Sequence, residues 1–130
     1  MRYMMLVYLE ENALDQKERE ECYQESIRLT HDLNGSGQFL AAAPLYPVST
    51  ATSVRVRDGK RLVMEGPFAE TREQLGGYYL IEATDLDEAI GIAARIPGAR
   101  KGTIEVRPVV ELSGMPEQSE AGQPVATAEK

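Results

Sequence analysis

The first nine residues set a two-faced pattern. Tyr3, Met5, Val7 and Leu9 fall on one side of an extended chain, and Arg2, Met4, Leu6 and Tyr8 on the other. Both sides are largely apolar, whereas an antiparallel sheet with one wet face alternates more cleanly. The spacing therefore predicts a strand over residues 2–9 with helices on one face and the sheet of a second chain on the other. Residues 15–34 switch to helical spacing. Asp15 and Glu18 form a capping-box pair, Cys22, Ser26, Leu29 and Leu33 lie on one stripe, and Asn34-Gly35-Ser36-Gly37 ends the helix. A short strand over 38–43 follows.

Residues 53–57 and 61–64 alternate around Asp58-Gly59, a hairpin-turn signal. The arginines mark a wet side, so the hairpin is expected at the sheet's edge. Residues 69–75 read as a polar stretch with a short helical turn. Tyr78–Ala83 is a strong strand. Asp85 caps a helix whose stripe is read as Leu86, Ala89, Ile90, Ala93 and Ala94, stopped by Pro97-Gly98. Residues 103–110 alternate as a last strand. Without the hairpin, the order is a split βαβ pattern. It predicts a ferredoxin-like α+β domain over 1–112, an antiparallel sheet with both helices on one face, and a dimeric α+β barrel formed through the open face. Residues 113–130 read as a polar tail or arm.

Composition narrows the function classes. A net charge of −7 argues against general nucleic-acid binding, which needs a basic face. Cys22 is the single cysteine, so an internal disulfide is excluded and a cytoplasmic home is expected. No apolar run reaches the roughly 20 residues that span a bilayer, so no membrane partner is expected. A lone histidine, His31, lies opposite the apolar stripe and supports neither a triad nor a metal site. No phosphate-binding glycine fingerprint is present, and no cofactor is expected.

The run Glu65-Gly66-Pro67-Phe68-Ala69-Glu70-Thr71-Arg72-Glu73-Gln74-Leu75-Gly76-Gly77-Tyr78-Tyr79 resembles the signature of DGPF-domain proteins, a branch of the YCII-related superfamily. Residues 51–59 and 104–108 fit the same resemblance, which covers roughly 1–110. It implies a ferredoxin-like fold and a homodimer. It also implies proximity to extracytoplasmic-function sigma factors, and relatives with a histidine and an aspartate in a cleft. The chain departs from the family pattern twice: Glu65 stands for the motif's aspartate, and Ser26 stands at the helix position that holds histidine in YCII-type proteins.

The candidate chemistry centres on that motif. Glu65, entering a Gly-Pro turn, is the candidate catalytic carboxylate, able to act as acid or base if desolvated. Phe68 and Tyr78 are candidate pocket walls. Thr71, Arg72 and Gln74 offer donors to an anion or carbonyl, Arg72 in a bidentate fork. Ser26 faces inward and offers a hydroxyl to a ligand in the cleft between helix and sheet. Structural roles compete at each position: Glu65 in an ion pair, Phe68 in the core, Arg72 in solvent and Ser26 bonding back to its helix. Two readings follow. One is a small-molecule binder or carboxylate-assisted enzyme; the other is a non-enzymatic regulatory domain that partners a sigma factor.

Overall fold

In the computed structural model, which describes residues 1–116, the chain runs β1 (Arg2–Leu9), α1 (Gln16–Gly35), β2 (Phe39–Pro44), β3 (Thr52–Arg57), β4 (Lys60–Glu65), β5 (Gln74–Glu82), α2 (Leu86–Ala93) and β6 (Thr103–Pro108). Four strands form one antiparallel sheet in the order β2-β5-β1-β6. The two βαβ halves interleave, each with the other's strand between its own, giving the split βαβ arrangement expected from the pattern.

The core lies between this sheet and the helices. Tyr3 and Met5 of β1, Tyr79 and Ile81 of β5, and Leu29 and Leu33 of α1 are buried together with Ala83, Ala89, Ile92, Ala93 and Ile96. Ile104 and Val106 of β6 pack against them. The face of β1 that meets the helices is therefore the Tyr3–Met5–Val7 face. Met4, Leu6 and Leu80 stand on the other face, partly exposed.

Local chemistry fixes the element ends. The Asp15 carboxylate accepts the Glu18 N–H at 2.8 Å and Glu18 accepts the Asp15 N–H at 3.1 Å, so the expected capping box is present. At α2, Asp85 accepts the Glu88 N–H at 2.9 Å, but the Glu88 carboxylate turns back to the Thr84 N–H at 2.8 Å. The buried stripe of α2 also differs from the one read in the sequence. Ala89, Ile92 and Ala93 are buried, while Leu86 and Ile90 are each 51% exposed. The two stripes share Ala89 and Ala93, and the helix rolls so that Ile92 enters the core, with Ile96 of the turn that follows buried beside it.

The hairpin is the second difference. β3 and β4 form a two-stranded sheet of their own and bond to no strand of the main sheet. The main sheet's edges are β2 and β6 instead. Asp58 and Gly59 at the tip have φ of 52° and 74°, the left-handed pair that a tight two-residue turn requires. The register puts Val54, Val56 and Val63 with Arg61 on one face and Arg55, Arg57 and Lys60 with Leu62 and Met64 on the other. The three valines are 58–62% exposed, so the hairpin is an arm projecting from the body. Its root is tied by Gly66 N–H to Ala51 C=O at 2.7 Å and by the Ser53 hydroxyl to Gly66 C=O at 2.8 Å. Residues 69–73 are irregular, without the short helical turn, because Gln74 and Leu75 are already drawn into β5. The tail expected over 113–130 lies outside the described residues from 117 onward.

Candidate functional site

The sheet carries a run of small residues where α1 crosses it. Ala42 and Ala43 on β2 pair with Tyr79 and Tyr78 on β5, next to Gly77, which faces Pro44, and the pairing with β1 jumps from Val7–Gly77 to Tyr8–Leu75, leaving Gly76 as an extra residue. Small side chains here leave space that larger ones would fill. A Cβ on Gly77 would come within 3.0 Å of the Ala43 carbonyl oxygen, so β2 lies close against β5 at this point. The result is a cleft of about 750 Å³ between α1 and the sheet, within the range of small-molecule sites.

Its walls are mostly apolar: Val7, Leu14, Ile27, Phe39, Leu45 and Ile96 among them. Polar groups are few. Arg19, Cys22, Ser26 and Thr30 enter from successive turns of α1. Tyr79 lies on the cleft side of β5, with its residue only 5% exposed, and Ser26 is its polar neighbour there. Burial pushes the Tyr79 phenol up from its usual value, an effect that the nearby Ser26 hydroxyl offsets only in part. The phenol therefore stays a neutral hydrogen-bonding group. Burial likewise raises the Cys22 thiol, against the pull of nearby Arg100, and this disfavours the thiolate nucleophile.

Ser26 and Tyr78 are the sequence candidates that line this cleft. The other candidates stand elsewhere. Glu65 ends β4 at the root of the arm, exposed. Phe68 is 75% exposed. The Arg72 side chain, 91% exposed, pairs with Glu10 at 3.1 Å. The Thr71 hydroxyl donates to the Glu73 carbonyl. Gln74 works as a clamp: its side-chain carbonyl accepts Glu11 N–H at 2.9 Å, and its amide donates to the Thr71 and Arg72 carbonyls at 2.7 and 3.2 Å. The carboxylate that does line the cleft is Glu11, which accepts the Val48 N–H at 2.8 Å.

Glu11, Arg19 and Tyr79 were not singled out by the sequence. Glu11 lies in a three-residue turn of helix after β1, and no motif marks it. Tyr79 sits beside Tyr78 on an alternating strand, and only the choice of helix-facing side separates them. Among the described residues, no cluster of three or more histidine, cysteine or acidic side chains is placed to hold a metal, and no helix is long and apolar enough to cross a membrane.

A four-stranded split-βαβ sheet with a cleft under its first helix defines the class as ferredoxin-like α+β. Within that class, the YCII-related domain family matches residues 1–113, and the chain belongs to that family. An uncharacterized protein of Rhizobium meliloti is 36% identical over 118 residues, covering 84% of this chain and 92% of its own. Among solved structures, the 5-chloro-2-hydroxyhydroquinone dehydrochlorinase TftG of Burkholderia phenoliruptrix, in complex with 2,5-dihydroxybenzoquinone, shares the fold. Its TM-score is 0.54 at 12% identity, with 85% of this chain and 94% of that one covered.

Proposed function

We propose that the chain is a DGPF-branch member of its family that binds a small, largely apolar organic molecule in the cleft between α1 and the sheet. The observation that carries this reading is the cleft itself: about 750 Å³ of apolar-walled space lined by Ser26 and the buried Tyr79. A few convergent polar groups in an apolar pocket are what small-molecule recognition needs. That the fold also houses an enzyme, TftG, supports a catalytic version of the reading. In that version the cleft's own carboxylate, Glu11, is better placed for proton transfer than Glu65. Glu65, Phe68, Thr71 and Arg72 are kept as candidates beside the cleft, and Glu65→Gln tests the first directly: unchanged ligand binding removes Glu65 from the site.

A thermal-shift screen with a metabolite library tests binding, because a ligand that prefers the native state raises its stability. Hits are expected for the native chain and are expected to vanish in Ala42→Trp, whose side chain fills the cleft. Hits that persist unchanged in Ala42→Trp count against the cleft.

We also propose that the chain works as a homodimer, closing an α+β barrel through the open sheet face. Met4, Leu6 and Leu80 on that face and the valine face of the arm support this, since both are apolar and incompletely covered within one chain. The regulatory alternative, docking to a sigma factor, has the exposed arm in its favour. A pull-down that recovers no sigma factor removes it.

A further inference from the structure

The cleft is not uniform along its length, and its asymmetry points to the charge of its ligand, an inference that rests on the small-molecule reading above. α1 contributes Arg19, Cys22, Ser26 and Thr30 in order, so position along the helix is position along the cleft. Arg19 and Lys101 both line it. Lys101 approaches Glu18, the neighbour of Arg19, at 3.9 Å, so both cations stand at the end nearest the start of α1. Arg19 spends one NH2 group on the Glu11 carbonyl at 3.0 Å, which anchors the guanidinium and leaves its other donors uncommitted. Ser26 lies seven residues further along, about 10 Å at the helical rise. Across the sheet Ala42 pairs with Tyr79, and Phe39, opposite Ile81, lies further on.

The carboxylates near this end are Glu11 and Glu18. Glu11 turns one oxygen to the Val48 N–H, and Glu18 is held by the Asp15 N–H of the capping box as well as by Lys101. Counting only groups that line the cleft, two cations face one carboxylate, on a chain whose net charge is −7. A neutral apolar ligand has no use for that arrangement. An anion does, since a charge-assisted bond in a partly desolvated cleft is roughly twice as strong as a neutral one.

We infer that the cleft selects an organic acid: a carboxylate at the Arg19–Lys101 end, an apolar and preferably aromatic body over the alanine–glycine floor, and a hydroxyl or carbonyl about 10 Å away at the Ser26–Tyr79 pair.

Fluorescence titration tests this with two probes that share a naphthol body, 6-hydroxy-2-naphthoate and 2-naphthol, of which only the first carries a carboxylate. The acid is expected to bind about tenfold more tightly, the equivalent of one charge-assisted bond. Arg19→Gln is expected to remove that advantage while leaving 2-naphthol unaffected, and raised salt is expected to narrow it. Lys101→Gln, on the loop before β6, provides the same test without disturbing the Glu11 contact. Equal affinity for the two probes in the native chain, or an advantage unchanged in both variants, overturns the anion preference and leaves the cleft reading standing. If neither probe binds, and Ala42→Trp behaves like the native chain throughout the library screen, the cleft reading and this inference fall together.

Discussion

At the scale of single residues, the sheet depends on close backbone approaches that only glycine permits. Gly102 is the tightest case. A Cβ there would lie 2.0 Å from the Tyr8 carbonyl oxygen and 3.0 Å from the Leu9 Cα, both backbone atoms that cannot swing aside. Gly102→Ala must therefore push β6 away from the end of β1, and we expect a loss of about 3 kcal/mol in urea unfolding, typical of overpacking. A change below about 0.5 kcal/mol would show that the two strands separate freely here. Gly77→Ala meets a milder contact of 3.0 Å to the Ala43 oxygen, so the smaller loss belongs to it. Residue-scale legibility was mixed. Ser26 could be placed on the inner face of α1 by spacing alone. Tyr79 could not be chosen over Tyr78, because alternation defines two faces without saying which one meets the helices. The motif residues misled for a different reason: their spacing describes a turn, and Gln74 shows that part of this set of polar side chains is spent on holding the turn's own backbone.

At the scale of elements, α1 is held at its start and at its middle. Its start is closed by the capping box, and its middle is tied to the turn after α2 by Arg100, whose two NH groups reach the two Glu25 oxygens at 2.9 and 2.7 Å. The Arg100 hydrogen bond holds the Glu25 carboxyl below the usual carboxylate range. A carboxyl whose folded pKa is depressed stabilises the fold above its unfolded value, near 4.3, and that stabilisation is lost as the pH falls through the folded value. Both side chains are substantially exposed, at 35% for Glu25 and 60% for Arg100, so the effect is small. The expected outcome is a urea midpoint for Glu25→Gln slightly below the native one at pH 7, with the gap narrowing as the pH falls through the acid range. A gap that does not change with pH would assign the loss to packing rather than to charge. The caps and turns of these elements were legible because each is a local contract between residues three or four apart. The roll of α2 and the position of the hairpin were not, because both depend on which tertiary surface is nearest. Leu86 and Ile90 fit the helical period as well as Ile92 does, and Arg55 and Arg57 alternate in the same way at a sheet edge or on a free arm.

At the scale of the whole molecule, the chain carries two incompletely sheltered apolar surfaces, the open sheet face and the valine face of the arm. A two-stranded hairpin alone is marginally stable in water. If both surfaces are covered by a second copy, Leu6→Asp on the sheet and Val54→Asp with Val56→Asp on the arm are each expected to shift the chain toward monomer in sedimentation analysis. Monomeric native protein at micromolar concentration would dismiss the homodimer. A dimer broken by the sheet variant and untouched by the arm variant would confine the interface to the sheet.

The arm, whose strands of six residues extend about 20 Å from the body, has one further consequence. Its tip, Asp58-Gly59, offers proteases a ready substrate whenever nothing lies across it. If a second copy covers it, as proposed, that cover rises and falls with abundance, and scarce protein would then be nicked and removed sooner than plentiful protein. In this way the cell's supply of the chain would help set how long each molecule lasts.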